Sequence, residues 1–179
     1  EDIFDSVVDE LDGPFSLRQR FARRVAEIYA DDDDVYPSTI TLDAWIPQVV
    51  ERLRPEFSHR TLTLTLTLDA CPAISLPESI LLKSFRGLLR NAIEATADGG
   101  SVEVILRELH GDVRIEIHDS GVGIDPELQE HLFFGFVHAG TTDSYSSGRP
   151  YDYMAGGKGL DLQRIKLFSE RHGFVLRFR

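Results

Sequence analysis

Three short runs hold the residues whose types and spacing could do chemistry. The first is His118-Asp119-Ser120-Gly121-Val122-Gly123-Ile124. It follows a run in which Val113, Ile115 and Ile117 alternate with Arg114, Glu116 and His118, the pattern of a strand with one buried face. Asp119 shares parity with the apolar set, so its carboxylate is predicted on the covered side of the sheet, where it needs a hydrogen-bond donor. Gly121 and Gly123 remove Cβ atoms where the chain turns tightly or approaches a ligand. The second run surrounds Asn91, on the shoulder of a helix whose flank also carries Ser84 and Gly87. The third is Gly156-Gly157-Lys158-Gly159, just before a helix beginning at Leu160, whose free amides would suit an anion. Each run also has a plainer reading: an Asp-Ser-Gly turn, an asparagine bonded to a neighbouring loop, and a glycine turn into a helix.

The elements that would position these runs can be read from periodicity. Leu17, Phe21, Val25 and Ile28 predict an amphipathic helix over 17–30, ended by Asp31 to Asp34. Ser38 to Thr41 reads as a short strand. A helix follows from Leu42 to about Phe57, with Trp45, Ile46, Val49, Val50 and Leu53 on its apolar face. Thr61 to Leu68 alternates as one half-buried strand. Leu81, Phe85, Leu88 and Ala92 mark a long helix over 78–98, ended by Gly99-Gly100. Two alternating runs, Ser101–Arg107 and Asp112–His118, form a hairpin through Glu108 to Gly111. Asp125-Pro126 opens a short helix leading to Leu132-Phe133-Phe134-Gly135-Phe136. Val137 to Gly157 has no sustained period and is long for a connection without a use, which suggests a lid over a ligand. After Leu160, a helix presents Leu162, Ile165 and Phe168, and Phe174 to Arg179 reads as a final strand.

Composition sets outer limits. The 179 residues suffice for one ordinary domain with a helical appendage. A net charge of −11 argues against a nucleic-acid or anionic-membrane surface. Any phosphate ligand would then rely on backbone amides, a metal ion or a few basic side chains. The single cysteine, Cys71, gives no internal disulfide and no cysteine-based zinc site, and a reducing compartment is expected. No run approaches a membrane span and no signal peptide is visible. The fragment is therefore expected in the cytoplasm without direct membrane contact, whether or not a parent protein is membrane-anchored. The opening on Glu1 suggests a piece of a longer protein.

Taken in order, the motifs resemble the ATP-binding catalytic domain of sensor histidine kinases, within the GHKL superfamily that also contains gyrase-type and mismatch-repair ATPases. The resemblance covers about Thr39 to Arg179. Leu88-Leu89-Arg90-Asn91-Ala92-Ile93-Glu94-Ala95 looks like the N box and Asp119 to Ile124 like the G1 box. Leu132 to Phe136 looks like the F box and Gly157-Lys158-Gly159-Leu160-Asp161-Leu162 like the G2 box. The resemblance implies a two-layer α/β sandwich, the Bergerat ATP-binding fold, with a mixed, mostly antiparallel sheet covered on one face by helices. It implies residues 37–179 as the ATP-binding domain, with 1–36 as a helical linker or the end of a dimerisation helix.

The same resemblance implies ATP and Mg²⁺ as ligands. Asp119 would accept a hydrogen bond from the adenine amino group, and Gly121 and Gly123 would let the backbone pass close to the base. Asn91 would ligate Mg²⁺. Gly157, Lys158, Gly159 and Leu160 would hold the phosphates beneath a lid of Val137 to Gly156. No residue of the chain is assigned as a catalytic nucleophile, since none of the six histidines sits in an acceptor motif. The implied acceptor is a histidine on a separate dimerisation domain of the same protein, dimeric at full length, with a response regulator downstream. Gly87 stands where gyrase-like relatives place a glutamate base, so little hydrolysis is expected. Two positions depart from the family pattern. Asp161 replaces a usual glycine, and Glu94 stands where a basic residue is common, each bringing negative charge toward the phosphate side. The alternatives are a degenerate nucleotide-binding or partner-docking module and an anti-sigma-type serine kinase.

Overall fold

The Thr–Leu alternation forms one margin of a small mixed sheet, and that sheet accounts for most of the elements around it. The structure is a computed structural model describing residues 36–124, 151–153 and 160–178. Two units are described separately: 36–124 with 151–153, and 160–178. The first contains β1 (Ser38–Ile40), α1 (Leu42–Phe57), β2 (Thr63–Leu68), β3 (Ile74–Leu76), α2 (Glu78–Ala95), β4 (Ser101–Leu109) and β5 (Asp112–Asp119). Strand order is β2-β4-β5, with β2 parallel and β5 antiparallel to β4. β1 and β3 form a separate antiparallel pair. The mixed sheet and its helical layer agree with the expected two-layer sandwich.

Side-chain parity explains which face is covered. Val102, Val104 and Leu106 of β4 are fully buried, and Leu64, Leu66, Leu68, Val113, Ile115 and Ile117 pack beside them. Trp45, Ile46, Val49, Val50, Leu53 and Phe57 of α1 are buried, as the periodicity predicts. Trp45 also ties the two helices together: its ring meets Phe85 edge-on at 5.6 Å and its Nε1 donates to Glu78 Oε1 at 3.0 Å.

The buried stripe of α2 is wider than predicted. Leu81, Phe85 and Ala92 are buried, but Leu88 is only half-buried while Leu89 and Ile93 are fully enclosed. Ser84 and Gly87, which share the flank of Asn91, are buried too. A helix covered on more than one side buries an arc broader than a single i, i+4, i+7 stripe. Leu89→Ala is expected to lower stability by about 2–5 kcal/mol, read as a lower urea midpoint with an unchanged slope.

Several boundaries also move. α2 ends at Ala95, not Asp98, because Thr96 is extended, with its hydroxyl bonded back to the Ala92 carbonyl at 2.7 Å. The hairpin turns on two residues, since His110 and Gly111 both adopt positive φ (56° and 86°), the conformation a tight primed turn requires. β3 has no counterpart in the sequence reading; its three residues lie between Pro72 and Pro77 and show too little alternation to register. Phe174 to Phe178 alternates in exposure as a strand would but belongs to no ladder among the described residues. Alternation alone does not supply the ladder hydrogen bonds that define a strand.

The second unit contains α3 (Leu160–His172). Ile165 and Phe168 are buried as predicted, whereas Leu162 is half-buried and Gln163 buried. Gly173, at φ 76°, ends the helix by donating to the Ser169 carbonyl at 2.9 Å. The helix predicted over 17–30, the short helix after Asp125 and the Leu132–Phe136 aromatics lie outside the described residues.

Candidate functional site

Asp119 ends β5 opposite Val102 of β4. Its neighbour Ser120 is fixed to the sheet twice, donating from its amide to the Ser101 carbonyl (3.0 Å) and accepting from the Ser101 amide on its hydroxyl (2.8 Å). The carboxylate is exposed, not covered as its parity predicts, because the sheet gives way to a turn immediately afterwards. Oδ1 accepts the Gly121 amide at 2.9 Å, an Asx-type turn. Among the described residues, Oδ2 accepts no hydrogen bond. The plain turn thus uses one carboxylate oxygen of Asp119 and leaves the other without a partner among the described residues.

The glycines have different reasons to be glycine. A Cβ on Gly121 would stand 2.5 Å from the Ala95 carbonyl oxygen and 2.6 Å from Asp119 Oδ1. The next amide, that of Val122, donates to the same Ala95 carbonyl at 3.3 Å. Gly121 thus lets the turn lie directly on the end of α2. Gly123 has φ 69° with open space around its missing Cβ, so backbone conformation alone selects it. Gly121→Ala is expected to destabilise by about 1–3 kcal/mol through this backbone collision, measured as a lower thermal midpoint.

Asn91 stands one turn before Ala95 on α2, about 6 Å back along the same face. It is half-buried, and its carboxamide bonds to no described residue. The structure therefore brings Asn91, Asp119, Gly121 and Gly123 to one end of α2. No cluster of three His, Cys, Asp or Glu side chains suitable for a metal exists among the described residues. A cation here would take most of its ligands from a bound molecule and water, which suits Mg²⁺ held by a single amide oxygen. Gly157, Lys158 and Gly159 lie outside the described residues, as does the side chain of Leu160. A profile of the histidine kinase-, DNA gyrase B- and HSP90-like ATPases matches residues 78–179, more than half of the chain and the stretch containing every one of these positions. The chain belongs to this family.

The relatives it matches include sensor histidine kinases. It is 33% identical over 95 residues to sensor histidine kinase RppB of Synechocystis, covering 53% of this chain and 19% of that protein. It is 32% identical over 143 residues to the adaptive-response sensory kinase SasA of Rippkaea orientalis, covering 79% and 34% respectively. The chain thus spans about a third or less of these relatives. Among solved structures, full-length ShkA in complex with AMPPNP superposes with TM-score 0.64 at 20% identity, covering 88% of this chain and 30% of that one. The fold is that of a sensor histidine kinase ATP-binding domain.

Both departures from the family pattern have partners in this chain. Glu94 is only 5% exposed. Its Oε1 accepts the Tyr151 amide at 3.1 Å and faces Arg90 Nε at 3.5 Å. Asp161 is paired with Arg164 at 2.9 Å within α3. Each carboxylate is thus committed to a neighbour. The predicted lid also needs revision at its described end. Tyr151 is buried at 1% exposure, with its ring 5.6 Å from Phe57, and burial pushes its phenol above the usual range. Asp152 pairs with His59 at 2.9 Å. Tyr151 and Asp152 therefore dock on the domain while Tyr153 is exposed, and the remainder of 137–156 lies outside the described residues.

Two residues here went unnoticed in the sequence. Arg60, whose side chain is 4% exposed, donates from Nε to Asp98 (2.8 Å) and from Nη1 to the carbonyls of Ile93 (3.2 Å) and Tyr151 (2.5 Å). Its Nη2 reaches the Thr96 carbonyl at 2.6 Å. A lone arginine between a helix and a strand gives no local signal, and neither does Tyr151 within a polar stretch.

Proposed function

We propose that the chain is the catalytic ATP-binding domain of a two-component sensor kinase, which binds Mg·ATP and presents its γ-phosphate to a histidine on a separate dimerisation domain. The observation that carries this reading is the grouping, at one helix end, of an exposed, half-satisfied carboxylate, an open glycine turn and an asparagine that bonds to no described residue. Asp119 would accept the adenine amino group, with Gly121 and Gly123 giving the base access to the backbone. Asn91 would hold Mg²⁺, which offsets phosphate charge when bound. Gly157, Lys158, Gly159 and Leu160 are assigned to the phosphates on the resemblance alone. Residues 37–179 would form this domain, with 1–36 joining it to the dimerisation helices.

Phosphoryl transfer needs positioning and charge compensation more than covalent work by the domain. That suits a site with an orienting carboxylate and no candidate nucleophile. In the transfer, the acceptor imidazole nitrogen would bond to the γ-phosphorus as the bond to the β–γ bridging oxygen breaks, releasing ADP. Histidine kinase ThkA, another structural neighbour, has been solved in complex with response regulator TrrA. By analogy, a response regulator would take the phosphoryl group onward. No described helix is long and apolar enough to cross a membrane.

Incubating the chain with labelled Mg·ATP and its cognate histidine domain tests the reading. Acid-labile label on that domain supports it. Acid-stable label would indicate a serine acceptor, and nucleotide-dependent association without transfer would indicate a docking module. Steady phosphate release scaling with the chain's concentration would instead point to hydrolysis.

A further inference from the structure

We infer that Arg60, Glu94 and Tyr151 form a positioning clamp that sets the last turn of α2, and with it Asn91 and the Gly121–Val122 turn. The inference rests on the nucleotide-site reading for its consequence, but its mechanical part stands on geometry alone. Tyr151 has φ 75°, a conformation bulky side chains rarely adopt and one that persists only when surrounding contacts over-determine it. Those contacts are present. Glu94 receives its amide, Arg60 donates to its carbonyl, Phe57 packs on its ring, and its phenol lies beside the Arg86–Glu56 ion pair. The same Arg60 holds the Ile93 and Thr96 carbonyls, so one guanidinium joins Tyr151 to the end of α2.

What lies on the far side of that helix end gives the clamp its purpose. Ala95, between the clamped Ile93 and Thr96 carbonyls, supplies the oxygen on which Val122 and Gly121 rest. Asn91 is one turn back on the rigid helix. Asp119, by contrast, is anchored to β4 through Ser101 and Ser120 and meets the clamped helix end only through the Gly121 amide on its Oδ1. Loosening the clamp should therefore disturb the Asn91 end of the site more than the Asp119 end, which β4 still holds. Glu94 and Arg60 would be positioning residues that touch no nucleotide.

The test compares Glu94→Leu, which removes the acceptor for the Tyr151 amide, with Glu94→Gln, which retains an oxygen there. The 179-residue chain is followed by amide hydrogen exchange and by calorimetric titration with Mg·ATP and, separately, adenosine. Glu94→Leu is expected to accelerate exchange at both the Tyr151 and Val122 amides and to weaken Mg·ATP about tenfold, the scale of one lost buried hydrogen bond. Adenosine affinity should stay within about twofold, and Glu94→Gln should restore both readouts. If Glu94→Leu fails to fold, Arg60→Lys, which keeps the charge but cannot span the same acceptors, is expected to give the same split. Acceleration confined to Tyr151 with Mg·ATP affinity unchanged, or equal losses for Mg·ATP and adenosine, would overturn the inference. Coupled exchange in a wild-type chain that binds neither ligand would support the clamp while refuting the nucleotide reading.

Discussion

Asp119→Asn is expected to weaken Mg·ATP and adenosine alike by about 100-fold, the sum of a lost charge-assisted hydrogen bond and a newly mismatched donor. Polarity is the reason. An ionised carboxylate is acceptor-only, so one oxygen can satisfy the Gly121 amide while the other faces an amino group. Asparagine has a single oxygen. If the turn claims it, as asparagine readily allows, the NH₂ group is left pointing at another donor. The fold should survive, because the Asx-type turn is kept and the site is exposed, so the thermal midpoint should barely move. Calorimetry on both ligands is the primary measurement. An inosine nucleotide, with a carbonyl where adenine has an amino group, should suffer less from the substitution than ATP does, which a general loss of structure would not produce.

Local chemistry was legible in the sequence, and contacts between distant segments were not. Alternation placed β2, β4 and β5 within two residues of their ends, and the 3.6-residue period placed α1 and α2. Asp119 and Asn91 stood out because a carboxylate on an apolar parity and an asparagine beside an apolar stripe ask for an explanation. The sequence could not show that Asp119 would emerge into solvent, since parity specifies a face and says nothing of where the sheet stops covering it. Nor could it show that Glu94 turns to Tyr151, 57 positions away, or that Arg60 reaches four acceptors from three segments. Such contacts depend on tertiary placement of long side chains, for which a single sequence contains no period. Leu89 illustrates a milder case: the second helix is covered on more than one side, so its buried arc exceeds the stripe that periodicity isolates.

Arg60→Met should cost about 3–5 kcal/mol, because it strips a buried multi-point donor from partners left inside the fold. Helix C-termini leave their last carbonyls without intrahelical donors, and the helix dipole makes that end favourable to a cation. Arg60 meets both needs at α2 and adds the Tyr151 carbonyl, using a planar fork that lysine cannot imitate. Methionine preserves much of the apolar stem but offers no donor, so the Ile93, Thr96 and Tyr151 carbonyls lose this partner together. Against a typical domain stability of about 5–15 kcal/mol, the loss should appear as a large fall in the urea midpoint at constant slope. Acid should narrow the gap between wild type and variant. The Asp98 carboxyl is held below its ordinary value chiefly by the Arg60 hydrogen bond and then by the Thr61 amide. A carboxyl depressed by folding contributes stability above its unfolded pKa and loses that contribution as pH falls through its folded value. The variant lacks the Arg60 share of this effect, so its stability should depend less on pH in that range. A remaining difference at low pH would then isolate the three carbonyl bonds, which do not titrate, from the ion pair, which does.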